Sequence, residues 1–384
     1  MYRLTPEQNV FVEKIRHLAD ASIRPHADRV DEEGRFPRES IEALGAAGFL
    51  GLTVPAELGG MGQGLRVAAA VLDEIAQRCA STAMIYKMHL SGVSCYLANP
   101  ERFERQLRDA VAGRHLSTLA FSEKGSRSQF WAPVSQAHAI NGGGTVSFSA
   151  DKSWVTSAGV ADGLVCSVGS VDSEPVTVFL IEKGDPGVTI AGNWNGLGMR
   201  GNQSNPVNLR DVPLALASRL IGEVGKGLDV MFGRALPMFL VGQAAIGVGI
   251  SEAAFTAARS HVTSQGFQHT GTLLRDLPNL RASLARMRIE TDKARAHLCC
   301  ALDQVEAGAP SAMLHLLAIK ESSAETAVFV SDLAMRACGG AAFSRHLGLE
   351  RVFRDARAAI VMAPTTDHLR ELIGRTLVDL PLFE

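Results

Sequence analysis

The order in which the hydrophobic periodicity changes along the chain limits its possible folds more than any other feature of the sequence. From about residue 5 to 112, apolar residues recur at helical spacing. From about 116 to 215 the pattern changes to short β-rich runs separated by Gly, Pro, Asn and Asp, and from about 224 to 384 it is helical again. Helices on both sides of a β unit predict an α+β fold, mostly α, with room for a ligand between the β unit and the helices.

We therefore place an N-terminal helical domain at residues 1–115, a middle β-domain at 116–223 and a C-terminal helical domain at 224–384. The first helix has a clear start signal, with Thr5 as N-cap, Pro6 at the first helical position and Gln8 two residues later. The long uncharged run at 235–251 is a little short of the ~20 residues of a membrane span and contains proline and glycines. It predicts a buried helix and no membrane span.

Charge and cysteine usage exclude several classes of protein. The 38 basic and 40 acidic residues give a formal net charge of -2, so no overall field draws the chain to nucleic acid or an anionic membrane. The six cysteines form no CxxC pair and no zinc-site spacing, which predicts a reducing, cytoplasmic setting and no metal. The N-terminus lacks the apolar region of an export signal, so we expect none.

Common nucleotide-binding and hydrolase motifs are also missing. The segment GGMGQG at 59–64 follows no strand pattern, so it predicts a loop between helices and not a phosphate-binding turn. The sequence contains no GxSxG elbow, no HExxH pair and no Walker motif.

Six segments occur in an order that is typical of one superfamily. They are LAFSEKGSRS (119–128), DKSWVTSAGVAD (151–162), GLGMRGNQSNPVNLRDVPL (196–214), GKGL (225–228), CGGAAF (338–343) and RDARAA (354–359). Together they resemble the acyl-CoA dehydrogenase superfamily over nearly the whole chain. The resemblance implies a barrel-like middle domain, a C-terminal four-helix bundle, bound FAD, and a homodimer or homotetramer active in fatty acid metabolism.

By this resemblance, Ser122, Trp154 and Thr156 contact the flavin. The residue types suit an isoalloxazine ring, which needs a flat stacking surface and polar groups at its edge. The alternative for Trp154 is an aromatic side chain that packs the β-domain core.

The resemblance also implies FAD contacts from the C-terminal domain. Gly339 and Gly340 match a pair whose backbone approaches the FAD pyrophosphate of a neighbouring subunit, and Thr365 matches a threonine that approaches FAD. Arginine and glutamine appear exchanged relative to the family, so we infer that Arg336 supplies the positive charge at the diphosphate. The alternative is an ion pair between Arg336 and Asp332, one helical turn back.

The resemblance also implies substrate contacts for three residues. Ser128 matches a serine near the CoA moiety, with basic residues among its neighbours that could meet an anionic ligand, although a solvated loop would look the same. Tyr86 and His89 lie on the helix that lines the acyl pocket in the family.

The usual catalytic base is missing. In the family a glutamate removes the α-proton of the thioester, and Ala363 occupies that position here. A second position used by some members falls at or near Pro237, where there is also no carboxylate. The weak candidates are His89, whose alternative is a hydrogen-bonded core histidine, and Asp367, whose alternative is a charge at a helix start.

Three functions follow from the resemblance. The first is an FAD-dependent acyl-thioester dehydrogenase with a non-standard base, acting on an acyl-CoA or acyl-carrier thioester and passing electrons to an electron-transfer flavoprotein or oxygen. The second is a flavin-dependent monooxygenase or oxidase on the same fold, which has no use for the glutamate. The third is a flavin- or CoA-binding subunit that has lost catalysis.

Overall fold

A computed structural model of the chain describes residues 2–127, 129–170 and 175–382. Its N-terminal part is helical, as the periodicity predicts. The Gln8 N–H donates to the Thr5 hydroxyl while the Thr5 N–H donates to the Gln8 side chain, which confirms the predicted capping box. The helices are α1 (Pro6–Leu18), α2 (Ala27–Glu33), α3 (Arg38–Ala46), α4 (Leu65–Ala76), α5 (Ala80–Tyr96) and α6 (Glu104–Val111).

The middle part contains two four-stranded sheets in its described residues. In chain order the elements are β1 (Ser117–Ala120), β2 (His138–Ile140), β3 (Thr145–Val155), β4 (Gly163–Val168), β5 (Thr177–Glu182), β6 (Val188–Ile190), β7 (Asn205–Ala215), α7 (Leu216–Arg219) and β8 (Leu220–Ile221). One sheet has the order β1-β4-β5-β8 and the other β2-β3-β7-β6; β1 and β4 are parallel, and the other pairs are antiparallel. Apolar side chains of both sheets share one core, including Phe148, Leu164, Phe179 and Leu209.

The C-terminal part returns to helices. Its elements are α8 (Gly227–Val230), α9 (Leu236–Ser264), β9 (Gly266–Phe267), β10 (Thr272–Leu273), α10 (Pro278–Glu306), α11 (Ala312–Cys338), α12 (Gly340–Phe343), α13 (Leu349–Ala356), α14 (Ala358–Val361) and α15 (Thr366–Leu377). The long helices α9, α10 and α11 pack against one another, and α9 also packs on α4 and α5. The mostly helical α+β fold is therefore confirmed.

The predicted buried helix lies in α9. The helical stretch Gly227–Ser264 is long and apolar enough to cross a membrane, but 83% of its most apolar window is buried inside the protein. Such burial is typical of the central helix of a folded core. The six cysteines are all free thiols.

The three parts of the chain meet at Arg354 and Asp355, at the end of α13. The Arg354 guanidinium lies 2.5 Å from an Asp31 carboxylate oxygen of α2, and the Met199 N–H donates to Asp355 over 2.6 Å. Burial raises the pKa of Asp355 to about 6. A Cβ at Gly198 would lie 2.4 Å from the Arg354 carbonyl oxygen, so the backbones of the middle and C-terminal parts are in direct contact. This contact fixes one wall of the cavity described next.

Candidate functional site

A cavity of ≈ 1080 Å³ lies where the N-terminal helices, the β sheets and the C-terminal helices meet. Its lining comes from α5, from residues within 119–127 and from Phe130, from 153–156 and 194–204, from 231–239 and from 354–364. Much of the wall is apolar, including Met88, Leu119, Phe130, Phe239 and Met362. This volume lies just above the usual range of small-molecule and cofactor pockets, about 300–1,000 Å³.

Backbone pairing brings the two sequence segments of the middle domain together at this cavity. The Ser153 N–H donates to the Ser122 carbonyl, and the Lys124 N–H donates to the Asp151 carbonyl, each over 2.9 Å. The predicted residues Ser122, Trp154 and Thr156 consequently all line the cavity, although Ser122 lies more than 30 positions before the other two in sequence.

A buried ion pair between Lys152 and Glu123 also holds these two segments together. The Lys152 ammonium lies 2.6 Å from Glu123, and both side chains are at most 3% exposed. The other partners of the Glu123 carboxylate are the Val134 N–H and the N–H and hydroxyl of Ser135. Although burial opposes ionisation, Lys152 and these hydrogen bonds lower the pKa of Glu123, so the carboxylate stays charged.

The geometry of Trp154 and Thr156 suits a flavin. Trp154 is 66% exposed and contacts Trp194 edge to face with ring centroids 5.7 Å apart, so it does not pack in the β-domain core. Thr156 is buried, with its hydroxyl 3.1 Å from the Ser204 hydroxyl, and both line the cavity. An open aromatic face beside paired hydroxyls offers the stacking surface and edge partners that an isoalloxazine ring needs.

Positive side chains lie at another part of the lining. Lys124 and Arg127 are both exposed and both contribute to the cavity. Ser128, the predicted substrate contact, lies outside the described residues.

Ala363 lines the cavity, so the position of the usual base contributes only a methyl group. Glu123 is the only acidic residue among the described residues of the lining, and it is held by Lys152. Pro237, the second family position for the base, lies in the first turn of α9. The described part of the cavity wall therefore offers no free carboxylate.

The two candidate bases do not line the described cavity. The His89 Nε2 lies 2.7 Å from the Leu50 carbonyl oxygen, and Nδ1 accepts the Ser117 N–H over 3.0 Å. Burial lowers the pKa of His89 to about 4, so the ring is neutral with both nitrogens in use. Asp367 is 90% exposed and pairs with Arg370. Neither geometry supports a role in removing a proton.

Tyr86, expected in the acyl pocket, is buried away from the cavity lining, where its hydroxyl donates to the Phe49 carbonyl over 2.7 Å. This contact holds α5 against the segment that follows α3. Because the helix is buried on almost every side, the sequence pattern does not indicate which face meets the ligand.

The residues expected at a neighbour's FAD lie on the outside of the single chain. Arg336 is 76% exposed and pairs with Asp332 over 2.9 Å, which is the alternative that the sequence leaves open. Gly339 ends α11 with φ +57, and a Cβ at Gly339 or Gly340 would meet nothing within 4 Å. The Thr365 hydroxyl caps α15 by accepting the His368 N–H. A contact with a second subunit remains a prediction for these residues.

Sequence reasoning missed two buried lysines behind the cavity wall, Lys87 of α5 and Lys320 of α11, both 0% exposed. A signal was available for the first, because Lys87 is the only Lys, Arg, Asp or Glu in the 17 residues of α5. A single such residue in an otherwise buried helix needs a specific partner or a function.

Comparison with known proteins identifies the family. The profile of the acyl-CoA dehydrogenase N-terminal domain matches residues 5–114, that of the middle domain 118–212 and that of the C-terminal domain 225–378. The chain is 27% identical to the probable acyl-CoA dehydrogenase YngJ of Bacillus subtilis, covering 98% of this chain and 99% of the relative.

Two solved structures show the same fold. Butyryl-CoA dehydrogenase from Megasphaera elsdenii has a TM-score of 0.92 at 22% identity, covering 98% of this chain and 99% of the other. The prolyl acyl carrier protein oxidase AnaB has a TM-score of 0.88 at 22% identity, covering 97% and 99%. The family profiles confirm the resemblance that the sequence motifs indicate, and the chain belongs to the acyl-CoA dehydrogenase family of flavin-dependent oxidoreductases.

Proposed function

We propose that the protein binds FAD in this cavity and oxidises an acyl thioester between Cα and Cβ, using a base other than a carboxylate at position 363. The observation that carries the proposal is the cavity itself, which joins the exposed Trp154 face and the Thr156 hydroxyl to an apolar wall ending at Ala363. A flavin bound there would accept a hydride.

In this proposal the chain's own residues hold the ligands. Trp154 stacks on the flavin, and Ser122 and Thr156 bind its polar edge. Gly339, Gly340, Arg336 and Thr365 serve FAD sites that are completed in a homodimer or homotetramer. The open surroundings of the two glycines and the exposure of Arg336 support this role.

The substrate enters as a CoA or acyl-carrier thioester. Lys124 and Arg127 provide positive charge for phosphate groups, with Ser128 nearby in sequence. The apolar wall around Met88 and Phe239 receives the acyl chain and excludes water. Electrons then pass to an electron-transfer flavoprotein or to oxygen.

An anaerobic titration of the flavin-loaded protein with butyryl-CoA, isobutyryl-CoA and octanoyl-CoA tests the proposal. Bleaching of the flavin absorption band by a thioester is the expected result. A band that persists with every thioester would contradict dehydrogenation.

One observation favours a second candidate, a flavin-dependent oxidase or monooxygenase. The described cavity wall has no free carboxylate, and the same fold is used by a prolyl acyl carrier protein oxidase. Oxygen consumption after reduction by NAD(P)H or a reductase, without bleaching by thioesters, would support it. A protein that binds flavin but neither bleaches nor consumes oxygen would be a non-catalytic subunit.

A further inference from the structure

The Lys87 amine is buried in an apolar region without an acidic partner in the described structure. Its Nζ lies 2.9 Å from the Gln243 side-chain oxygen, 3.8 Å from the Met362 sulfur and 3.7 Å from the centroid of the Phe239 ring. A buried ammonium ion is strongly disfavoured unless a counter-ion and several acceptors replace its water. One amide oxygen, a sulfur and a ring face are a poor replacement.

The fold makes room for this side chain. A Cβ at Gly242 of α9 would lie 2.6 Å from Lys87 Cγ and 3.2 Å from Cδ. Only a residue without a side chain lets the lysine stem pass α9 and reach Gln243. The amide nitrogen of Gln243 is itself buried without a hydrogen-bond partner in the described residues. It is therefore a second polar group beside the amine, free to donate a hydrogen bond.

The amine lies directly behind the cavity wall. Both side chains that cover it, Met362 and Phe239, line the cavity. Met362 precedes Ala363 in sequence, and its unbranched thioether can change rotamer at low cost. Access from the cavity beside Ala363 to the Lys87 amine requires Met362 to move aside.

Burial disfavours the charged form of the Lys87 amine, and a neighbouring lysine adds to this effect. Lys320 Nζ donates to the carbonyl oxygens of Ala359, Met362 and Pro364 over 2.6–3.2 Å, a set that matches the three donors of an ammonium ion. Burial lowers the pKa of Lys87 well below its usual value, and the positive charge that Lys320 carries below its own pKa of about 7 lowers it further. The Phe239 ring face opposes both effects. In the uncharged form, which these effects favour, the Lys87 amine has a free electron pair.

We propose that Lys87 is the base that removes the α-proton of the thioester, an inference that rests on the proposed function. The α C–H bond breaks, its proton moves to the Lys87 electron pair to give an ammonium ion, and the C–H electrons form the Cα=Cβ double bond. The β-hydrogen leaves with two electrons to the oxidised flavin. The ammonium ion later returns its proton to solvent.

Exchange of the α-hydrogen in D₂O measures this step separately from oxidation. Protein with its flavin reduced by dithionite cannot accept a hydride, so deuterium entering Cα of butyryl-CoA, followed by mass spectrometry, reports proton removal alone. Lys87→Met is compared with wild type and with the exposed-surface control Lys14→Met. We expect Lys87→Met to lower exchange by about 100-fold or more with the flavin content retained, and Lys14→Met to change nothing. If Lys87→Met exchanges the α-hydrogen at a rate within about threefold of wild type, the loss is far smaller than the loss of a general base causes, and the proposal is overturned.

A second variant and a titration keep the test decisive if Lys87→Met fails to fold. Gly242→Ala should displace the lysine stem and lower exchange. In ¹³Cε-lysine-labelled wild-type protein, the Lys87 resonance should titrate well below its usual pKa, and exchange should rise with pH and level off at the same value. An exchange rate whose pH dependence does not follow the titration of the Lys87 resonance overturns the proposal.

The outcomes separate this inference from the proposed function. Exchange that depends on Lys87 without flavin bleaching supports the base and contradicts dehydrogenation. Flavin bleaching that does not depend on Lys87 supports dehydrogenation and contradicts the role of Lys87 as base. A wild-type protein that shows neither overturns both.

Discussion

Replacing Glu123 by Gln leaves the fully buried Lys152 ammonium without a counter-ion and places a donor group against N–H donors. Both side chains are at most 3% exposed, and the carboxylate accepts bonds of 2.5–2.9 Å from Lys152, Val134 and Ser135. Removing one partner of a buried pair costs about 3–5 kcal/mol. An unfolding entropy of about 2.1 cal/mol/K per residue gives roughly 0.8 kcal/mol/K for a chain of this length, so the melting temperature should fall by about 4–6 °C.

Calorimetry at pH 7 measures the change, with two matched controls. Adding Lys152→Met to Glu123→Gln removes the unpaired cation and should recover part of the loss. Glu104→Gln breaks an exposed pair with Arg108 and should lower the melting temperature by less than about 1 °C. Because the pair holds residue 122 beside β3, Glu123→Gln should also lower the flavin content. A melting temperature of Glu123→Gln within about 1 °C of wild type would refute the reasoning.

Four further changes test other contacts. The folded pKa of Lys320, about 7, lies below its unfolded value of 10.5, so the unfolded chain binds one more proton between these values and stability rises with pH there. Between pH 6.5 and 9.5, urea unfolding should show the wild type gaining about 3 kcal/mol on Lys320→Met. Gly198→Ala should destabilise by about 1–3 kcal/mol because its Cβ meets backbone 2.4 Å away, whereas Gly144→Ala, with nothing within 4 Å, should not. Trp154→Ala should weaken flavin binding about two- to tenfold by equilibrium dialysis. Arg336→Ala should lower the flavin content of purified protein, and full retention of FAD would contradict its proposed role.

Local signals in the sequence predict the fold well where one short segment decides the structure. The Thr5 capping box depends on residues three positions apart, and it is present as expected. Among the short β-rich runs between 116 and 215, those at 145–149 (TVSFS), 162–168 (DGLVCSV) and 176–182 (VTVFLIE) fall at β3, β4 and β5. The reason is that β-branched and aromatic residues between turn residues leave few alternatives. The uncharged run at 235–251, which predicts a buried helix from its composition alone, lies in α9 apart from residue 235.

The sequence predicts the part of the site in which two motifs pair with each other. It does not predict the part in which side chains from distant segments determine the chemistry. Ser122 and Trp154 share the cavity because their segments hydrogen-bond to each other. The surroundings of Lys87 come from Gln243 and Met362, which are 156 and 275 positions away. No local sequence pattern predicts that the amine of Lys87, the amide of Gln243 and the thioether of Met362 lie in contact. His89, close to Lys87 in sequence, faces the backbone of another segment instead.

The contact at Arg354 and Asp355 limits how this chain can be recombined with its relatives. A middle domain transplanted from another protein must bring a residue without a side chain at position 198 and a free backbone N–H at 199. A transplanted N-terminal domain must bring an acid at position 31. Chimeras that ignore these three positions would join domains that each fold correctly but enclose a cavity of a different shape.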